Sequence, residues 1–429
     1  MGVGLLISTV VLMTFEPQIT EMELSNGIPV ISRKLDTGQV EGVSLFIDGG
    51  SRLLTEDTQG IEAFAIECAL MGGGRFSGPA LRQLTDTTLA EIAGQYNYDF
   101  SRIHLRCLDE DLPLLMDALS DCLLDPELDP ASVERVRQSM LADLAEQQSD
   151  PDQAIWYVCN RGFMIGHPYS LKPDGVPETV AALTADDADR HLQRRLVSGN
   201  LLITHAGSTP DSVLLPLLEA AFGGLPTGGE TLADVPPFPL EEDTLVAESR
   251  EVETAYAVVK FAAPPAGHRD RAAFMAGMSA ISDLLWDVLR TENNLTYGTY
   301  AGSTSYRRNW GYMYVSSPQP QRACSLMADV YRNAFLEGLD ADLVRGSAET
   351  MRTGRGARMA SRDYQCYLLG VGAISGEGWK SSYFMVDSLA ALDSDEVREA
   401  LSRWAGPCSW GVIASDEQLE NLKGPWPIR

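Results

Sequence analysis

The order of patterned segments repeats about halfway along the chain, and this duplication constrains the fold more than any single motif does. The apolar strand "VSLFIDGGS" (43–51) is followed, after a turn-rich gap, by a helical run from Ile61 to Met71. In the second half the strand "YAVVKFAAP" (256–264) is followed by a helical run from about Arg271 to Leu289. "LDPASVERVRQSML" (128–141) has a counterpart in "LDADLVRGSAETMR" (339–352), each expected to be a helix opened by an aspartate beside its first turn. "LLITHAGS" (201–208) matches "SWGVIAS" (409–415) as a closing strand. The offsets stay within about 207 to 213 residues, so the order of elements is shared.

Within each half, strands come as neighbouring pairs with Gly-bearing turns and alternate with groups of helices. "LSNGIPVISRKL" and "VEGVSLFIDGG" are expected to form a hairpin. "LPLLMDALSDCLL" (112–124) places apolar residues at i, i+3, i+4 and i+7, the spacing of a helix packed by one face on a sheet. The expected fold class is α+β: two similar halves, each an antiparallel-dominated sheet with helices packed on one face. Between them "FGGLPTGGETLADVPPFPLEED" (222–243) carries neither period. The expected organisation is an apolar N-terminal segment (1–15), an N-terminal domain (16–224), a linker (225–245) and a C-terminal domain (246–429).

At 429 residues the chain is long enough for two cores, and 45% hydrophobic with 22% charged residues is a globular balance. A net charge of -27 argues against a nucleic-acid partner, which needs clustered Lys and Arg, and favours solubility and basic ligands. Seven dispersed cysteines without a CxxC point to free buried thiols and a reducing compartment. The run "VGLLISTVVLMTF" (3–15) is shorter than the roughly 20 residues of a spanning helix, so it gives no firm membrane evidence. It has the length of a signal-peptide core but lacks the basic start and the small-residue cleavage site. The compartment therefore stays open: the cytoplasm fits the cysteines, and the periplasm or cell envelope fits if residues 3–15 belong to a leader.

"GIEAFAIECALMGGG" (60–74) contains no histidine, and His104, His167, His191, His205 and His268 are too far apart to give HExxH, HxxEH or HxH. The glycine run in "MGGGRFSGP" (71–79) lacks the Lys-Ser/Thr pair of a phosphate loop and does not follow a strand, so it is expected to cap a helix and turn. Cys68 has no histidine near it in sequence and is expected to be an inert packed thiol. In "LLWDVLRTENNLTYG", Arg290 ends a helix, Asn293 and Asn294 suit the left-handed turn that stops it, and Tyr297 starts the next strand. An Arg there is also favoured by the helix dipole alone.

The strand "LSNGIPVISRKL", the strand ending "DGGS", a Gly before a helix, "GHPYS" (166–170), "LDPASVERVR" and "RTENNLTYG" occur in an order that resembles the pitrilysin/insulinase-type zinc metallopeptidases, the group that includes the mitochondrial processing peptidase. The resemblance runs from about Gln18 over nearly the whole chain. It implies an inverted zinc motif H-x-x-E-H in the first half and a further Glu ligand some 75 residues downstream. On this chain the motif falls on Phe64, Glu67 and Cys68, and the distal position on Asp143; a register led by Glu62 and Ala63 supplies no histidine either. The site is thus degenerate: no cofactor is expected in this chain, and zinc is expected in a partner subunit. Arg290 and Tyr297 match the Arg and Tyr with which the family grips peptide, except that Asn294 stands where its "R-E-x-x-G-L-x-Y" has Gly. The implied function is a non-catalytic, peptide-binding subunit paired with a zinc-bearing homologous subunit. The alternatives are a scaffold with no peptidase role, and an active metallopeptidase with atypical ligands at Glu67, Cys68 and Asp143.

Overall fold

The structure, a computed structural model, describes residues 18–36, 38–230, 232–389 and 391–429, except for the Val386 side chain. The apolar segment 3–15 lies outside the described residues. The first half runs β1 (Gln18–Glu23), β2 (Pro29–Lys34), β3 (Val40–Asp48), α1 (Ile61–Ala69), α2 (Gly78–Thr88), β4 (Glu91–Tyr96), β5 (Phe100–Leu108), α3 (Leu112–Leu124), α4 (Pro130–Ser149), α5 (Pro151–Phe163), α6 (Pro177–Ala182), α7 (Ala185–Arg195), β6 (Leu201–Gly207) and α8 (Asp211–Phe222). The second runs β7 (Thr244–Ser249), β8 (Ala255–Ala262), α9 (Arg271–Leu285), β9 (Gly298–Ser303), β10 (Trp310–Ser317), α10 (Pro320–Leu336), α11 (Ala341–Arg358), α12 (Arg362–Ile374), α13 (Trp379–Leu389), α14 (Ser394–Arg403), β11 (Cys408–Ala414) and α15 (Asp416–Glu420).

Each half forms one sheet, ordered β1-β2-β6-β3-β5-β4 in the first and β7-β11-β8-β10-β9 in the second. Apart from β1 the two orders correspond strand for strand. All pairs are antiparallel except β2 with β6 and β7 with β11, where the last strand of each half runs beside an early one, β2 in the first half and β7 in the second. The expected hairpin is corrected here. β2 and β3 are not neighbours, because β6 lies between them, and β2 instead pairs with β1 around Ser25 to Gly27. Local turn chemistry identified two strands correctly, but a long-range strand claimed the hydrogen bonds between them.

The repeated aspartates cap their helices. Asp129 accepts from the Ser132 amide at 3.0 Å at the start of α4, and Asp340 from the Asp342 amide at 2.8 Å at the start of α11.

The central strands alternate inward and outward positions, yet both faces are buried. Val43, Leu45 and Ile47 of β3 face the helices of their own half, whereas Phe46 packs with Leu368, Leu369 and Val371 of α12 from the other half. Reciprocally, Ala257, Val259 and Phe261 face the second half's own helices, and Val258 packs with Ile155, Val158 and Cys159 of α5 from the first. Each half therefore covers the far face of the other's sheet with one helix. Gly370 permits α12 to pass over the Phe46 ring, and Gly411 permits α5 to approach so closely that an added Cβ would lie 2.7 Å from the Cys159 amide nitrogen.

The connector is not a free tether. Ala233, Val235 and Pro236 carbonyls accept from or pair with Arg52, Arg308 and His167, and Val235 is buried beside Phe163 and Trp310. β7 begins at Thr244, inside the segment expected to be linker.

Candidate functional site

Gly60, with φ of 83°, turns the chain into α1 where a Cβ would collide with the backbone of Gly175. The helix is then fixed by Glu62, which is buried and accepts from Ser101 Oγ, from Arg195 Nε at 3.2 Å, and pairs with His191 Nε2 at 3.3 Å. Burial alone would raise this carboxyl; the His191 bond and the Arg195 charge outweigh it and hold it low. At its other end α1 runs into the glycine loop. There the Asp121 carboxylate accepts from the Arg75 and Phe76 amides at 2.8 and 2.9 Å, so the turn is pinned to α3.

Between α1, β4 and α4 lies a cleft of about 530 Å³. Ala63, Glu67 and Met71 line it from α1, Asp143 and Gln147 from α4, and Tyr96 from β4. Glu67 accepts from Tyr96 Oη at 2.7 Å. Burial pushes the Glu67 carboxyl above its ordinary range, the tyrosine bond opposes this, and the charge of Asp143 adds to the rise. Asp174, at the same cleft, is raised by burial as well, again with Asp143 contributing.

Glu67 and Asp143 are thus brought together as the spacing implied; Phe64 and Cys68 are not. Both are sealed in the first core, with Phe64 under the Arg137 guanidinium at 5.3 Å and the Cys68 thiol pushed up to about 12 by burial. The helix face directed into the cleft carries residues at i and i+4, Ala63 and Glu67, one position earlier than the sequence register assumed. The residues present do not fit a zinc ion. Ala63 offers no donor, Glu67 is held towards its neutral form, and among the described residues no three His, Cys, Asp or Glu converge as ligands. The thiols of all seven cysteines are buried and unpaired.

The second candidate lies after α9. The helix continues as a π-helical stretch, Trp286–Glu292, a widened turn that often marks functional positions. Asn294 takes the left-handed conformation, φ 50°, in place of the expected Gly. Arg290 Nη1 donates to the Thr296 carbonyl at 3.1 Å, and its guanidinium lies 4.6 Å from the Tyr297 ring centroid. Tyr297 is 83% exposed and immediately precedes β9, the free edge of its sheet. Arg290 Nη1 also donates to Asn294 Oδ1 at 3.4 Å, so Arg290 and Tyr297 form one unit whose Nε and Nη2 hydrogens are not used by these two bonds.

A third arrangement was not legible in the sequence. Ser32 Oγ lies 3.0 Å from His205 Nδ1, and His205 Nε2 lies 2.6 Å from Glu41 Oε2, a hydroxyl–imidazole–carboxylate chain. All three residues are fully buried, and Ser32 also donates to Asp211 at 2.9 Å. No substrate carbonyl can reach this hydroxyl, so the chain ties β2, β3 and β6 together rather than forming a hydrolytic site.

Comparison with known proteins gives two family matches: Insulinase (Peptidase family M16) over residues 29–169, and Peptidase M16 inactive domain over residues 182–349. The chain is 24% identical over 210 residues to the mitochondrial-processing peptidase subunit beta of Lentinula edodes, covering 49% of this chain and 45% of that protein. It is 24% identical over 209 residues to the cytochrome b-c1 complex subunit 1 of Bos taurus, covering 49% of this chain and 43% of that protein. The chain thus spans under half the length of these relatives in the matched stretch. In fold it is similar to a protease from Helicobacter pylori, with a TM-score of 0.84 at 12% identity, covering 93% of this chain and 100% of the other. A peptidase M16 inactive domain from Pseudomonas fluorescens gives 0.81 at 15% identity, covering 95% and 99%.

Proposed function

This chain belongs to the insulinase family of peptidases, M16, and from that membership we propose that it is a non-catalytic subunit that grips peptide for a zinc-bearing homologous partner. The observation that carries the reading is the contrast between its two candidate sites. The α1 cleft presents Ala63 and Glu67 where metal ligands would be needed, whereas Arg290 and Tyr297 are exposed at the start of an edge strand. Peptide recognition at such a place uses main-chain hydrogen bonds along the edge and a few side-chain donors, and it requires no metal. The Arg290 fork supplies donors to a peptide carbonyl or carboxylate, and the Tyr297 hydroxyl another. Zinc, its bound water and the base that deprotonates it then belong to the partner.

The relatives named as subunits support an assembly: one is a subunit of a processing peptidase and another a subunit of the cytochrome b-c1 complex. The second of these favours an alternative, a scaffold subunit of the same fold with no role in cleavage.

The test is reconstitution with a zinc-bearing homologue from the same source. The expected result is that neither chain cleaves peptide efficiently alone and that the pair does, with zinc in the partner only. A complex that forms but cleaves no faster than the partner alone supports the scaffold; stoichiometric zinc in this chain overturns both readings.

A further inference from the structure

Arg290 and Tyr297 could hold a peptide by a main-chain carbonyl or by a carboxylate, and the orientation of the guanidinium discriminates between the two. Nη1 is committed within its own turn, donating to the Thr296 carbonyl at 3.1 Å and to Asn294 Oδ1 at 3.4 Å. The Tyr297 ring, with its centroid 4.6 Å away, backs the guanidinium. What remains is the edge formed by Nε and Nη2, whose two N–H groups run parallel. Such an edge matches both oxygens of one carboxylate, whereas a lone carbonyl oxygen engages it less completely.

No carboxylate of the chain fills this edge. With 60 acidic side chains against 33 basic ones, arginines elsewhere on the surface find partners: Arg75 pairs with Asp117 at 2.8 Å, Arg106 with Glu91 at 2.7 Å and Arg161 with Glu248 at 2.7 Å. Among the described residues no acid is in ion-pair contact with Arg290, although Asp287 and Glu292 are exposed on the same π-helical stretch. Arg322 of α10 is also exposed without an acidic partner, and its Nη2 donates to Asn293 Oδ1 at 2.7 Å. Two cations therefore bracket the Asn293–Asn294 turn with no counter-charge on either.

The adjoining strand adds little main-chain grip. The Thr304 amide donates to the Trp310 carbonyl of β10, so by the alternation of an antiparallel pair Thr299, Ala301 and Ser303 turn their main-chain groups outward. The Ala301 amide is already taken by Ser282 Oγ of α9 at 3.1 Å, and Thr299 is only 7% exposed. A peptide at this place is then held chiefly by side-chain donors acting on a charged group.

Resting on the peptide-gripping reading, we propose that Arg290 receives a carboxylate of the peptide on its Nε–Nη2 edge, from a carboxyl terminus or an acidic side chain, rather than a main-chain carbonyl. The exposed Tyr297 hydroxyl is a further donor, and Arg322 adds positive charge beside the turn.

Fluorescence anisotropy of the full chain tests this with one N-terminally labelled peptide of neutral side chains in three forms. These carry a free carboxyl terminus, a terminal amide, or a terminal amide with one glutamate placed at each position in turn. The free acid, a glutamate form or both should bind at least about tenfold more tightly than the neutral amide, the difference expected for one charged hydrogen-bonded group. Preference for the free acid alone assigns a carboxyl terminus, and for a glutamate form alone an acidic side chain. Arg290→Ala should erase the preference, Arg290→Lys should restore only part of it, and Arg322→Ala should reduce it less than Arg290→Ala does. If wild type binds all forms equally and Arg290→Ala weakens them all, the carboxylate is overturned while the grip stands on a carbonyl. A preference that survives Arg290→Ala overturns the assignment to this residue. If no form binds, the carboxylate and the peptide-gripping reading fall together.

Discussion

α1 and α9 occupy the same place in their respective halves, each following the central strand, and they have been put to opposite uses. α1 turns its side chains inward. Phe64 and Cys68 fill the core, Glu62 is locked by His191 and Arg195, and the one acid facing the cleft is capped by Tyr96. α9 instead runs on into a widened turn and a left-handed Asn294, and delivers an exposed Tyr297 with Arg290 stacked on it. A π turn and a non-Gly residue at positive φ depart from relaxed geometry; here they let Leu289 and Leu295 stay in the core while the segment between them presents Arg290. A helix relieved of metal binding can become core; a helix that must display two side chains keeps its irregular end.

If that comparison is right, changes on α1 should move stability and changes after α9 should move function. The largest effect is expected from placing histidines at the positions given by sequence spacing: Phe64→His with Cys68→His should cost on the order of 3 to 5 kcal/mol, read from urea unfolding, because both side chains are in the core. Ala63→His with Glu67→His, on the cleft face, should fold and bind Zn²⁺ weakly through Asp143, limited by missing outer hydrogen bonds. Equal zinc binding by both pairs would show that the cleft face has been misassigned.

Next in size, Arg290→Ala should lower the kcat/KM of the reconstituted pair by at least about tenfold, the loss of one charged hydrogen-bonding group, with assembly and thermal midpoint unchanged. Arg290→Lys should recover only part, since an ammonium lacks the planar fork. Unchanged cleavage in an Arg290→Ala, Tyr297→Phe double variant would return the pair to a helix-capping role.

A smaller effect is expected at Glu67. Its carboxyl is raised above the ordinary value of 4.5 by burial and by Asp143, so ionising it at pH 7 opposes folding, and that penalty is absent below 4.5. Glu67→Gln should therefore raise the thermal midpoint at pH 7, with the gain shrinking as pH falls towards 4.5, and should leave the pair's cleavage rate alone. A loss of cleavage in this variant would place chemistry back on α1.

The smallest effect concerns the seam between the halves. Burial lowers Lys260 to about 8, while its ammonium donates to Asn160 on the exchanged helix α5. In the unfolded chain the lysine holds its proton up to about 10.5, so between those values the unfolded state binds more protons and stability rises with pH. Comparison of wild type with Lys260→Met by chemical unfolding should show the difference moving in favour of wild type from pH 8 to pH 10; a flat difference would mean that the lysine is solvated at the seam.

Arg290 and Tyr297 were singled out by the resemblance to a family motif, whereas the duplication and the capping aspartates were legible in the sequence because each depends on neighbours within a turn or two, or on repetition of such local patterns. The absence of histidine from α1 was legible for the same reason. What could not be read was which way α1 faces. Phe64, Glu67 and Cys68 span little more than one turn of a helix whose residues are nearly all apolar, so its periodicity does not mark a solvent side. Only the packing of β4 and α4 against it decides that Ala63 and Glu67 meet the cleft. The same holds for the insertion of β6 between β2 and β3, and for the exchange of α5 and α12. In each case a residue finds its partner more than a hundred positions away, as Gly411 does with Cys159 and Gly370 with Phe46. Sequence fixes what a segment will be when its own hydrogen bonds and side-chain spacing settle the matter. Tertiary structure decides which of several comparable apolar faces are buried together, because hydrophobic burial has no direction until the other surface arrives.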